Sequence, residues 1–570
     1  MQLSAKNRWH LYVPKLFTVL SQGYSPTDFG KDAVAGLTVA IVALPLAMAL
    51  AIASGTTPDK GLITAIVAGF LISAFGGSRF QIGGPTGAFV VVVFNIIAQH
   101  GYDGLVAATL LAGIMLIGAG LLGLGTVIKY MPQPVVTGFT SGIALIIFSS
   151  QIKDFFGLTM DKVPADFIPK WIAYAAHWQG FSPVTLAVAA GSLALIILMR
   201  RFSPKLPAFL FAVVGGSLAV WAFNVPTDTI GSRFGGIPDM LPMPAIPHMT
   251  FVGLKGLLPS AFTIAFLAGI ESLLSAVVAD GMTGRRHRSN CELVAQGIAN
   301  CASAFFGGMP ATGAVARTAT NIRSGARSPI AGMMHAGFLL GFMYFLAPLA
   351  RYVPLASLAA VLIMVAWNMS EIERFRHLMR APRGDRLVLL STFGLTALVD
   401  LTLAIEVGVV MAAMLFMYRM SEAVEIETSA RLVDEDIDDF RRTRAHDDKY
   451  DLRRNLPKGV EVFQFHGPFF FGAVSQLSDV MERTDGQPRV YILDLKDVPL
   501  IDASGASALD EFVGRCRRHG TTVILSGLKD QPHKIVRQME LHQRRDNIKL
   551  ADDFPAALAM AKELVGVKAT

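Results

Sequence analysis

The chain has 570 residues, 52% hydrophobic and only 16% charged, with a mean hydropathy of +0.49. That balance excludes a soluble protein of this length and indicates an integral membrane protein. The net charge of +7 raises nucleic-acid binding, but most basic clusters fall in loops that topology places on one side of a membrane, so no nucleic-acid partner is expected.

The first 30 residues lack the apolar run of a cleavable signal, and residues 1–31 read as a cytosolic N-terminal segment. Residues 32–422 hold about fourteen apolar stretches, beginning near 33, 61, 85, 103, 132, 183, 206, 255, 291, 313, 328, 354, 385 and 401. An even number returns both termini to one side. Arg200, Arg201 and Lys205, then Arg285, Arg286 and Arg288, then Arg323 and Arg327, and finally Arg374, Arg376, Arg380, Arg383 and Arg386 occupy alternate loops, which makes that side cytoplasmic. The expected location is a cell membrane, the inner membrane of a bacterium. Residues 423–457 read as a charged linker and 458–566 as a soluble α/β domain. Cys291, Cys301 and Cys516 lie far apart, which implies neither a disulfide framework nor a metal site.

Two segments look like copies: Gly83-Gly84-Pro85-Thr86-Gly87-Ala88 in the third stretch, and Gly307-Gly308-Met309-Pro310-Ala311-Thr312-Gly313-Ala314 before the tenth. Interrupted apolar segments in corresponding halves mark the binding site of a secondary transporter. With fourteen segments, the third and tenth enter from opposite sides, as half-helices of a 7+7 inverted repeat meeting near the midplane. Their first amides and aligned peptide dipoles attract an anion there. Pro85 and Pro310 suit a helix start. The alternative is ordinary packing of small residues. Glu271 lies among apolar and small residues in the eighth stretch, where a charge costs about 2.5–3.5 kcal/mol on insertion scales. It is the candidate coupling group, for a proton or for Na⁺; a buried ion pair with Arg317 is the other reading. Arg317 attracts or binds the anion, or holds the half-helix in place. The sequence contains no nucleophile–base arrangement, phosphate loop or metal-ligand cluster, so an enzyme is not expected.

Leu44-Pro45 with Ala47, Pro58 with Gly61-Leu62, Gly77-Ser78 leading to Gly84-Pro85, Ala279-Asp280, and Gly307 to Pro310 through Arg317 together resemble the sulfate permease (SulP) family of anion transporters. Ile63 departs from the tyrosine of many members. Leu46, Leu50, Thr86 and Ala316 are small or aliphatic where animal members often place glutamine, aromatic or serine side chains, so the pocket should differ in size and polarity. The resemblance implies a core domain of segments 1–4 and 8–11 that moves like an elevator against a gate of segments 5–7 and 12–14. It implies substrate contacts at Leu46, Leu50, Thr86, Gly87, Ala88, Gly313, Ala314, Val315, Ala316 and Arg317, with ion coupling at Glu271. No cofactor is expected beyond a coupling H⁺, or Na⁺. The expected substrate is sulfate or a C4-dicarboxylate taken up with protons; Na⁺-coupled bicarbonate symport and a channel-like conformational sensor stay open. Nucleobase and borate carriers are disfavoured by the small side chains near Thr86 and Ala316.

In the C-terminal region 460–465 and 490–495 read as strands, 473–483 and 506–519 as helices, and 522–526 as a buried strand. Asp502-Ala503-Ser504-Gly505 resembles the phosphorylation loop of STAS domains, with Ser504 as acceptor; an ordinary helix N-cap is the alternative. A homodimer, contact with membrane lipid, and a regulatory protein on this domain complete the expected partners.

Overall fold

The computed structural model describes residues 11–128, 131–160, 163–164, 166–203, 206–245, 251–399, 401–422, 425–428, 456–470, 488–541 and 546–566. The expected helix over 473–483, Lys205, and most of the charged linker lie outside them. Two units result, residues 1–412 and 413–570.

The first unit is helical. In chain order its helices are α1 (Lys15–Ser21), α2 (Pro26–Ala53), α3 (Pro58–Phe75), α4 (Phe89–Leu121), α5 (Gly125–Ile128), α6 (Gln133–Ser150), α7 (Ile152–Phe156), α8 (Phe167–Ala176), α9 (Pro183–Phe202), α10 (Ala208–Phe223), α11 (Ile230–Phe234), α12 (Phe251–Thr283), α13 (Ser289–Phe305), α14 (Val315–Arg323), α15 (Ile330–Ala350), α16 (Leu355–Met369), α17 (Ile372–Leu378), α18 (Arg383–Leu398) and α19 (Leu401–Glu422), the last running into the second unit. Nine helices among the described residues are long and apolar enough to cross a membrane. Each of the fourteen apolar stretches coincides with a helix or half-helix. The third and fourth share α4, which bends at Gly101, where φ of 71° suits glycine. The tenth is the nine-residue α14.

Helices α2, α3, α4 and α12 to α15 pack mainly on one another, with α13 against α4 and α15 against α2 and α3. A second set joins α6 to α18 and α16 to α6 and α9. One face of the helical unit also holds the amino-terminal segment: Lys15 N donates to Gly76 O (3.0 Å), and Arg288 Nη1 donates to Val13 O (2.5 Å). The basic loop at 285–288 and residues 13–15 therefore share a side.

The second unit is a five-stranded sheet, β3 (Glu425–Thr428), β4 (Val460–His466), β5 (Val490–Asp497), β6 (Thr522–Ser526) and β7 (Ile548–Ala551), in that order. β3 is antiparallel to β4 and the rest are parallel. Side chains alternate between two cores: Phe463, Tyr491 and Leu493 face helix α20 (Ala503–Arg518) and helix α21 (Asp530–Gln538), while Val462, Val490 and Ile492 face helix α22 (Phe554–Val565). Strand β3 lies within residues 423–457, which the sequence reads as a charged linker. Glu425 and Glu427 lend the segment linker-like charge, yet its backbone pairs as a sheet edge.

Candidate functional site

The two repeated motifs meet. Gly83-Gly84 (β1) and Thr312-Gly313 (β2) form a two-stranded antiparallel ladder, with Gly83 opposite Gly313 and Gly84 opposite Thr312. Three of its four residues are glycines, and two of them have no room for a side chain. A Cβ on Gly313 would stand 1.6 Å from Gln81 Nε2, and one on Gly84, whose φ is +144°, would stand 2.6 Å from Arg317 Nη1. Pro85 and Pro310 lie four and five residues ahead of α4 and α14, in the extended segments that carry this ladder. This corrects their expected position at a helix start: Pro85 follows the paired Gly84 and Pro310 precedes the paired Thr312, and each helix begins several residues later.

Helix α12 supports the ladder along one face, at spacings that a helix brings together. Ala268 O accepts Thr312 Oγ1 (2.9 Å), Ser272 accepts Gln81 Nε2 on its carbonyl (3.1 Å) and hydroxyl (2.9 Å), and Ser275 Oγ donates to Thr318 Oγ1 (3.2 Å). Glu271 occupies the same face, and its Oε2 accepts Thr86 Oγ1 at 2.8 Å. Arg317 is buried and donates through Nη2 to the Pro85 carbonyl. Carboxylate and guanidinium thus take separate partners from the first motif, Thr86 and Pro85.

The other expected contacts divide. Thr86 is half-buried, whereas Val315 and Ala316 are exposed at the start of α14, whose N-terminal amides have no side-chain cap. Ala88, which precedes α4, is likewise uncapped. The Ala314 amide donates to Ile82 O (2.8 Å), so it is committed to the ladder and not free for a ligand. Gly87 packs under Met369 of α16 and Ile147 of α6, which carries the second helix set up to the end of α4. Leu46 is half-buried, while Leu50 is buried at 1% exposure. Gly313 is buried within the ladder.

Sequence reading missed the polar network behind the ladder. Glu292 is fully buried in the first turn of α13 and accepts four hydrogen bonds, from Gly77 N (2.8 Å), Ser78 N (3.1 Å), Ser272 Oγ (3.1 Å) and Gln296 Nε2 (3.0 Å). Asn300, one turn beyond Gln296, brackets Ala311 through both its N–H and C=O. The signal was available: Glu292, Gln296 and Asn300 recur every four residues, a polar stripe on an apolar helix. In the opposite half Thr64 plays the matching part, accepting from Met309 N (2.8 Å). Glu292 of α13 thus holds the Gly77-Ser78 turn of the first half, and Thr64 of α3 holds the loop after Gly307-Gly308 of the second.

The sulfate permease family profile matches residues 29–392. The chain belongs to that family. Residues 454–553 match the STAS domain. It is accordingly a multi-pass membrane transporter of anions and not an enzyme. It is 40% identical over 527 residues, 92% of this chain and 96% of the other, to YvdB of Bacillus subtilis (strain 168), provisionally named a sulfate transporter. It is 30% identical to the bicarbonate transporter BicA of Picosynechococcus sp., over 90% of this chain and 91% of that one. The solved transmembrane domain of a cyanobacterial BicA superposes with a TM-score of 0.62 at 32% identity, covering 67% of this chain and 98% of that domain. Murine Slc26a9, an anion transporter solved in its inward-facing state, shares the fold at a TM-score of 0.85 and 17% identity, covering 98% and 96%.

In the STAS domain Asp502 is the N-cap of α20, its Oδ1 accepting Gly505 N at 2.7 Å. The helix begins at Ala503, earlier than the expected 506, because this cap closes the first turn. Ser504 is exposed within that turn.

Proposed function

We propose that this chain is a secondary active symporter that takes up a small dianion, sulfate or a C4-dicarboxylate, together with protons by elevator-type alternating access. The observation that carries the reading is the Thr86–Glu271 hydrogen bond laid directly over the paired strands. It puts an ionisable group in contact with the motif whose free amides face the anion. Protonation of Glu271 changes the charge beside the site by one unit, which links anion affinity to proton occupancy. Arg317 supplies the fixed positive field, and the first-turn amides of α14 with those of Thr86 to Ala88 supply directional donors. The core of segments 1–4 and 8–11 carries this assembly past the gate.

A second reading, Na⁺-coupled bicarbonate symport, draws on the BicA relatives and on oxygen donors gathered at Thr86 and Glu271. In this account the protein works as a homodimer in a bacterial inner membrane with both termini in the cytoplasm. Ser504, exposed at a helix N-terminus, is the phosphate acceptor through which a regulatory protein acts on the STAS domain. Uptake of labelled sulfate, fumarate and bicarbonate into proteoliposomes, under a pH gradient or a Na⁺ gradient applied separately, decides between the readings. Drive of sulfate or fumarate by the pH gradient supports the first; Na⁺-driven bicarbonate uptake replaces it with the second.

A further inference from the structure

At the start of α3, the end away from Gly76 and Lys15, the helical unit contains a cavity of about 440 Å³. Its lining comes from the α2–α3 turn (Thr56, Thr57, Lys60), from α4 at Tyr102, and from the short helices α7 and α11, which contribute Asp154 and Arg233. Two cations thus border one opening. Lys60 is three-quarters buried, and its nearest carboxylate oxygen, on Asp59, is 3.7 Å away, beyond hydrogen-bond reach. The ammonium stands over the face of the Tyr102 ring, 5.2 Å from its centre, a cation–π contact and not a hydrogen bond. Among the described residues no hydrogen-bond acceptor lies within reach of this ammonium, whose contacts are the longer ion pair with Asp59 and the Tyr102 ring, and Lys60 lines the cavity. Arg233 is held by Asp154 at 2.9 Å. The wall also touches the transport machinery. Tyr102 donates to the Gly307 carbonyl (2.6 Å), a Cβ at Gly307 would lie 3.6 Å from Lys60 Nζ, and one turn along from Lys60 is Thr64, the residue that pins Met309.

We propose that this cavity is a capture site for a small oxyanion, distinct from the paired-strand site and lying before it on the path from the far face. Lys60 is its unsatisfied donor, and Arg233 is its second cation, released when the anion displaces Asp154. The proposal rests on the reading of the chain as an anion carrier and adds residues with no contact to the ladder. Asp154 competes for Arg233 in the empty site, so removing its charge strengthens anion capture, while removing either cation weakens it.

The test is made on the full chain in phosphatidylcholine vesicles, so that no anionic headgroup competes, with Thr57→Cys as reporter and the native-cysteine protein as background. The readout is the ratio of labelling rates by negatively and positively charged methanethiosulfonate reagents. Lys60→Gln and Arg233→Gln each lower that ratio about three- to tenfold, Asp154→Asn raises it, and Lys60→Arg leaves it near the parent value. Sulfate at constant ionic strength slows the anionic reagent in the Lys60 protein and has no such effect after Lys60→Gln. The rate of an uncharged methanethiosulfonate reagent, insensitive to the local potential, reports whether each variant remains folded. A ratio that stays within twofold for Lys60→Gln, or a decrease for Asp154→Asn, overturns the proposal. Because labelling needs no turnover, failure of every uptake assay would remove the transport reading while leaving this result to stand or fall by itself.

Discussion

Gly313→Ala probes whether the ladder is the rigid floor of the site. The added methyl would sit 1.6 Å from Gln81 Nε2 and 2.5 Å from its Cδ, so the Gln81 side chain must leave. Leaving breaks two buried hydrogen bonds to Ser272, each contributing about 0.5–1.5 kcal/mol, and the forced repacking adds about 1–3 kcal/mol, so the cost is about 2–6 kcal/mol. Gly118→Ala in α4 meets nothing within 4 Å and is the control; a helical glycine replaced without a clash is neutral or slightly stabilising. The assay is thermal unfolding of detergent-solubilised protein, followed by uptake. A double-mutant cycle with Gln81→Ala sharpens it. Gln81→Ala removes the atoms that the methyl strikes, so the pair should be more stable than the single effects added together, by at least about 1 kcal/mol. The reasoning is refuted if Gly313→Ala melts with Gly118→Ala, or if the cycle shows no coupling.

Glu292→Gln leaves one carbonyl oxygen for four converging donors, so two of them face an amide NH₂; the expected loss is about 2–5 kcal/mol, read as a lower melting temperature, and an unchanged transition would show that the pin carries no weight. In the STAS domain burial pushes the Cys516 thiol up to about 12, so at pH 8 its thiolate is about a thousandfold scarcer than that of an ordinary thiol, and native maleimide labelling should spare it until the protein is unfolded. Because the folded value is raised, the associated stability is present below about 9 and is lost as pH climbs toward 12, which a pH series of unfolding transitions on the intact protein would follow.

The repeated glycine segments, the isolated Glu271 and the apolar stretches were legible because each is a local departure from, or repetition of, hydrophobic pattern. That the two copies pair backbone to backbone was not, since pairing between residues separated by more than 200 positions leaves no local trace, and Gly-Pro reads equally well as a helix start. The committed Ala314 amide follows from the same hidden ladder. The stripe of Glu292, Gln296 and Asn300 was visible in principle, yet its purpose depends on which loop faces it. Strand β3 escaped because its two glutamates sit in a charge-rich stretch, and an edge strand needs only backbone partners. Asp502 could be recognised as a cap, but whether Asp502 or Ser504 served depended on the dihedral angles of one turn.

The central claim is that Glu271 couples ion movement to anion movement, and Glu271→Gln tests it most directly. Glutamine keeps the shape of the side chain and an oxygen to accept from Thr86 while removing the titratable charge. In proteoliposomes the account predicts that the variant still exchanges labelled anion across the membrane at a measurable rate but no longer concentrates it in response to a pH gradient. Concentrative uptake that survives Glu271→Gln under the same gradient would contradict it.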